Sequence, residues 1–230
     1  MKRFGFTLAE VLITLSIIGV VAAITLPSLN TAIQKNKVGP TLRKFINTME
    51  NANEHLLVNV DGDVITDAVT TSNAYLNAMR SQLKGSIDNI DSPNITSFDG
   101  TDLENYSNIV STNFTFEAGD AMAVDFFQDI DRDNVTTPYK GSIANIIYDM
   151  NGFEKEPNRL GKDIFLFRMD DNGSIIPRGG KAEMNAYPIE NITTPQWEGS
   201  ATCGNGNTTD NGEYCAGSVA DNDWKVIYKY

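Results

Sequence analysis

The sequence predicts an α+β fold, with a long N-terminal helix, half transmembrane and half amphipathic, packed on a C-terminal antiparallel sheet. Three observations predict it. From Phe6 to Leu26 the only charge is Glu10, and this run is as long as the roughly 20 apolar residues that a bilayer-spanning helix needs. Over residues 30–60, apolar side chains recur at three- and four-residue steps with charged ones between them, the pattern of a helix that covers something apolar. Beyond Gly119 the chain turns to short β-branched or aromatic runs bounded by turn residues. Strands that follow one another after a long helix favour an antiparallel sheet packed on it.

The chain divides into a short basic segment at residues 1–5, an apolar helix at 6–29, an amphipathic continuation at 30–60 and a globular head at 61–230. In the continuation, Val38, Leu42, Phe45, Ile46, Met49, Ala52, Leu56, Leu57 and Val60 form the apolar stripe. Gly39-Pro40 predicts a kink or short break near Val38, because proline removes a backbone donor and crowds the preceding turn. His55 sits near the end of the stripe as a half-exposed helix residue. Asp61-Gly62-Asp63 ends the helix. Residues 66–84 read as one short helix with Ala68, Tyr75, Leu76, Met79 and Leu83 on its apolar side.

Gly85 to Gly119 is rich in Ser, Thr, Asn and Asp and reads as loops with one or two irregular strands. The strand candidates are Ala121–Phe127, Ser142–Asp149, Lys162–Met169, Ser174–Ile176 and Trp224–Tyr228. Asp171-Asn172-Gly173 predicts a hairpin turn between two of them.

Glu10 is the odd residue of the apolar run. A carboxylate inside a membrane costs several kcal/mol unless it is paired, neutralised or brought to the headgroups. Lys2 and Arg3 precede the run, so the amino end is expected on the cytoplasmic side and the head across the membrane. The series Gly5-Phe6-Thr7-Leu8-Ala9-Glu10, then the apolar run and Pro27, resembles the prepilin signal of type IV pilins and type II secretion pseudopilins. The resemblance covers roughly residues 1–30. It implies a cut between Gly5 and Phe6 by a prepilin peptidase, and N-methylation of Phe6. It further implies that Glu10 pairs with the amino terminus of a neighbouring subunit, and that Pro27 kinks the helix. The partners it implies are the peptidase, other pilin or pseudopilin subunits, an inner-membrane assembly platform and the lipid bilayer. The location it implies is a single-pass inner-membrane protein that assembles into a periplasmic or surface filament.

Two further stretches are similar to the same group. One runs from Asp149-Met150-Asn151-Gly152 through Pro157-Asn158-Arg159-Leu160-Gly161-Lys162-Asp163 into Ile164-Phe165-Leu166-Phe167. The other runs from Tyr214-Cys215 to Trp224-Lys225-Val226. The first, with the short leader, inclines the reading towards a secretion pseudopilus over a pilus. An ordinary secretory signal with Val21-Ala22-Ala23 as its cleavage site is the alternative for the amino end. It fits less well, because an h-region is usually 7–15 residues and lacks a carboxylate.

Lys and Arg number 18 against 30 Asp and Glu, a net charge of −12. Such a surface is repelled by phosphates, so direct nucleic-acid binding is not expected. Cys203 and Cys215 lie in one Gly/Asn/Thr/Asp-rich stretch and read as a disulfide; two free thiols or half a metal site are the alternatives. The absence of Cys-x-x-Cys and of a nearby histidine speaks against the metal.

Asp125, Asp129, Asp131 and Asp133 loosely follow a calcium-loop spacing, and some pseudopilins bind Ca²⁺ in their heads. Counting from Asp129, however, no glycine stands at the sixth place and Lys140 occupies the twelfth, so no cofactor or metal site is assigned, with Ca²⁺ left as an option. No nucleophile, P-loop or dinucleotide motif appears, and one histidine cannot furnish an acid–base set, so catalysis is not expected. The expected function is a structural filament subunit. A membrane-anchored ligand-binding protein or adhesin that never polymerises is the rival, and a tethered enzyme a weaker third.

Overall fold

One helix, α1, runs from Leu8 to Val60, and the rest of the fold is built against its second half. The structure is a computed structural model that describes residues 7–91, 93–103, 106, 109–127, 141–187, 194–195, 203 and 212–228. Leu8 to Lys37 carries no fully buried residue, whereas Val38, Leu42, Phe45, Ile46, Met49, Ala52 and Leu56 are buried at the predicted helical spacing. Val60, the last residue of α1, is exposed and does not join the buried stripe.

The expected break at Gly39-Pro40 does not occur, and the helix continues through both Pro27 and Pro40. Packing offsets the missing donor: Val38 and Gly39 are buried, and a Cβ on Gly39 would collide with the Trp224 carbonyl. Asp61, left-handed at φ 52, closes α1, and its N–H bonds back to Leu57 and Val58.

The predicted helix over 66–84 is two helices, α2 (Ile65–Ala68) and α3 (Ser72–Gln82). Val69 and Thr71 between them are extended, as β-branched residues prefer, and the Thr71 hydroxyl caps α3 by accepting from Ala74 N–H.

Six strands follow: β1 (Gly85–Asn89), β2 (Thr112–Phe116), β3 (Ala121–Phe126), β4 (Ser142–Asp149), β5 (Ile164–Asp170) and β6 (Ile175–Pro177). They lie in sequence order and each pairs antiparallel with the next, forming a meander. β1 and β2 fall in the segment expected to hold one or two strands. The β5–β6 turn is the predicted Asp171-Asn172-Gly173, where Gly173 supplies φ +84 and its N–H bonds to the Asp170 carbonyl.

The two sheet faces meet different partners. Met122, Val124, Ile146, Tyr148, Phe165 and Phe167 face α1, and Phe45 stacks on Tyr148 with ring centroids 4.0 Å apart. Ala121, Ala123, Ile147, Ile164 and Leu166 face a second cluster completed by Ile95, Val110, Phe153 and Leu160 from the connecting segments. Burial on both faces is why these strands read as nearly continuous apolar runs instead of alternating ones.

Trp224–Tyr228 is not a strand. Asp223 and Trp224 take consecutive positive φ values, 54 and 61, which no β-ladder accommodates. The segment instead straps the head to α1: Lys35 Nζ donates to the Tyr228 carbonyl at 2.9 Å, and Tyr228 Oη donates to the Gly161 carbonyl at 2.7 Å. Two short helices, α4 (Lys181–Ala186) and α5 (Cys215–Asp221), were not anticipated. They meet where Gly217 packs against Gly180, and they are too short for periodicity to reveal.

The structure joins Cys203 to Cys215 across a sequence separation of 12, with Cys215 fully buried. In the chain-entropy account a loop of this order contributes about 3 kcal/mol. Denaturant unfolding of the Cys203→Ala/Cys215→Ala double variant is therefore expected to show a loss of about 3 kcal/mol, with an unchanged midpoint as the contrary result.

Candidate functional site

The apolar half of α1 places its hydrophobic side chains in the open. Leu12, Leu15, Ile18, Ile24 and Leu29 are each more than half exposed, and they point in all directions around the helix. Water would penalise this surface at about 25 cal/mol per Å² of apolar area. The segment is the one helix among the described residues long and apolar enough to cross a membrane.

Its polar side chains are adapted to the same surroundings. Thr14 Oγ1 donates to the Glu10 carbonyl at 3.0 Å, Ser16 Oγ to Leu12 at 2.8 Å, Thr25 Oγ1 to Val21 at 2.9 Å and Thr31 Oγ1 to Pro27 at 3.1 Å. Each hydroxyl is satisfied inside its own helix, as a hydrocarbon environment requires. Pro27 has no N–H for the Ala23 carbonyl, a deficit in keeping with the kink that the prepilin resemblance implies there.

Glu10 forms a capping box at the helix start. Its Oε2 accepts from Thr7 N–H and from Thr7 Oγ1, both at 2.8 Å, while Glu10 N–H donates to Thr7 Oγ1 at 3.3 Å. The carboxylate is thereby folded back to the amino end of the helix, where backbone N–H groups and the macrodipole favour negative charge. Thr7 was missed as a partner, although the spacing Thr7-x-x-Glu10 is itself the signature of this cap. Gly5 and Phe6, the predicted processing residues, lie outside the described residues.

The other sequence candidates do not gather into a chemical site. His55 is exposed on α1. Asp125 is half-buried on β3, and burial raises its carboxyl above the usual range. Asp129, Asp131, Asp133 and Lys140 lie outside the described residues. Among the described residues no three His, Cys, Asp or Glu side chains group so as to hold a metal ion.

Two other carboxylates are buried at the two ends of the β4–β5 connection, Asp149 closing β4 and Asp163 preceding β5. Burial pushes the Asp149 carboxyl up to about 8, opposed by N–H bonds from Asn151 and Gly152 and reinforced by the nearby Asp163 and Asp120 charges. Burial also raises Asp163, against several backbone N–H bonds that favour its charged form.

Residues 1–26 match the prokaryotic N-terminal methylation motif, the prepilin-type signal of type IV pilins and pseudopilins. No curated protein and no solved structure matches the chain. The motif points to a pilin-like structural subunit in place of an enzyme, and to processing by a prepilin peptidase and assembly with other pilins. With the exposed apolar helix, it fits a membrane-anchored protein whose head lies outside the cytoplasm.

Proposed function

We propose that this chain is a filament subunit of a type II secretion pseudopilus or type IV pilus. In this reading it is cut between Gly5 and Phe6, N-methylated at Phe6, and extracted from the inner membrane by an assembly platform. The observation that carries the proposal is the joining of the methylation motif to a helix whose apolar half nothing among the described residues covers. A head anchored in lipid needs only the apolar run; the capping box accounts for a Glu or Gln at position 10, and a cation that comes to meet it would account for the charge.

Cleavage creates that cation. The new Phe6 ammonium and Glu10 are each costly alone in low dielectric, and breaking such a pair costs about 3–5 kcal/mol. Paired between neighbouring subunits, the two charges set the axial register of one helix against the next. Leaving lipid for a filament exchanges apolar contacts for apolar contacts, so packing and this pair must supply the specificity. Between the two kinds of filament, the resemblance of the Asn151-Gly152 to Pro157-Asn158 block favours the secretion pseudopilus.

Mass spectrometry of the mature amino terminus tests the processing. The expected terminus is N-methylphenylalanine at Phe6. A terminus near Ile24, after Val21-Ala22-Ala23, would instead identify an ordinary secretory signal and sink the filament reading.

A further inference from the structure

We propose that the loop joining β4 to β5 binds a hard divalent cation, calcium by preference. Its ligands would be side-chain oxygens of Asp149, Asn151, Asn158 and Asp163. The proposal does not depend on the filament reading. It begins from three buried oxygens that have no hydrogen-bond partner among the described residues.

Asp149 is fully buried, and its Oδ1 accepts from Asn151 N–H at 2.9 Å and Gly152 N–H at 3.1 Å, while its buried Oδ2 has no hydrogen-bond partner among the described residues. Asn158 is 3% exposed; its Nδ2 donates to the Phe153 carbonyl at 2.9 Å, which leaves a buried Oδ1 that likewise has none. Asn151 repeats the pattern: Nδ2 donates to the Lys155 carbonyl at 3.1 Å and Oδ1 is buried with no partner among the described residues. Buried polar atoms are nearly always satisfied, so three orphans between Asp149 and Asn158, all acceptors, call for a donor.

The electrostatics select a cation. The charged groups that act on Asp149 are Asp163 and Asp120, both acidic, so among the described residues its buried carboxylate meets no counter-charge. Asp163 adjoins Asn158, whose N–H donates to Asp163 Oδ2 at 3.1 Å, while Asp163 Oδ1 takes Arg159 N–H at 2.6 Å. Each carboxylate oxygen keeps a lone pair for a metal. Asp120 is already engaged by Tyr148 Oη at 2.7 Å, so it supplies field and is not assigned as a ligand.

Two carboxylates with two amide oxygens give an all-oxygen, incompletely charged set of the kind calcium completes with backbone carbonyls and water to reach 6–8 ligands. Magnesium, which demands near-octahedral geometry and sheds water reluctantly, fits such a loop less well. A proton on Asp149 satisfies one oxygen, whereas a cation serves all three. The block also explains its own spacing: the side-chain amides of Asn151 and Asn158 each tie the loop to itself through nitrogen and keep their oxygens free.

The test is calcium titration of the full-length chain in detergent micelles, followed by isothermal calorimetry and by thermal unfolding. One Ca²⁺ per chain and a saturable rise in Tm are expected, with a smaller response to Mg²⁺. Asp149→Asn retains the acceptor for both backbone N–H groups and removes a buried charge, so it should fold, yet bind Ca²⁺ about tenfold more weakly or worse. Asp163→Asn should weaken binding in the same way, and Asp125→Asn should not. No saturable response up to about 10 mM Ca²⁺, ten times the weak end of extracellular calcium modules, would overturn the proposal. So would native affinity in both Asp149→Asn and Asp163→Asn, or a response lost only in Asp125→Asn.

Discussion

Glu10→Gln is expected to leave a chain that inserts in the membrane and is cut at Gly5, but that fails to form filaments. Glutamine is the informative replacement because of the geometry at the helix start. A capping box accepts Gln as well as Glu at this position, so the bonds between residue 10 and Thr7 can persist. What disappears is the charge. Loss of a pair contributing about 3–5 kcal/mol corresponds to roughly two to four powers of ten in the subunit association constant. Quantifying filaments sheared from cells against membrane-bound chain measures it. If Glu10→Gln assembles like the native chain, Glu10 is a helix cap and the pairing account fails. Thr7→Ala supplies the converse case: it removes the cap, worth about 1 kcal/mol, and should leave assembly largely intact.

Glu183→Ala is expected to lower the stability of the head by about 3–5 kcal/mol, a large part of the 5–15 kcal/mol typical of a domain. Arg168 on β5 meets Glu183 on α4 with side chains only 4% and 3% exposed, through a short hydrogen bond between Nε and Oε1. Arg168 also donates from its NH1 group to Asn145 Oδ1 at 3.0 Å, and Glu183 Oε2 accepts from Gly179 N–H at 2.5 Å. Removing the carboxylate takes away the charge that Glu183 sets against the buried Arg168 guanidinium and the acceptor it offers to Gly179 N–H. Thermal unfolding followed by near-UV circular dichroism should show Tm falling by roughly 6–20 °C. The double replacement Arg168→Met/Glu183→Leu should recover most of the loss, since removing both charges removes the desolvation cost as well. A single variant within about 2 °C of native would show that the pair contributes little.

The elements that could be read in advance are those whose signal repeats. Val38 through Leu56 announces a buried helix face because its spacing echoes the helical turn, and the apolar runs of β3, β4 and β5 announce strands because both faces are covered. α2 and α3 were merged because their apolar positions are nearly in phase, and the β-branched interruption at Val69 to Thr71 is only three residues long. Trp224–Tyr228 has the composition of a strand, but the carbonyl of Trp224 lies against Gly39, from the far end of the sequence. Asn53, not singled out from the sequence, is fully buried, accepting from Tyr75 Oη at 2.7 Å and donating to the Gly173 carbonyl at 2.8 Å.

The amino-terminal signal is wholly local: its meaning depends on the order of neighbours from Gly5 to Glu10 and on an unbroken apolar run, and both are visible along the chain. The same holds for the amphipathic stripe and the strands, since burial of a face imposes a period on adjacent residues. The buried Arg168–Glu183 pair, the strap from Trp224 to Tyr228 and the orphaned oxygens of Asp149, Asn151 and Asn158 carry no period. They arise where distant segments are pressed together. There, a polar atom's role depends on which donor or charge the fold brings to it, or fails to bring.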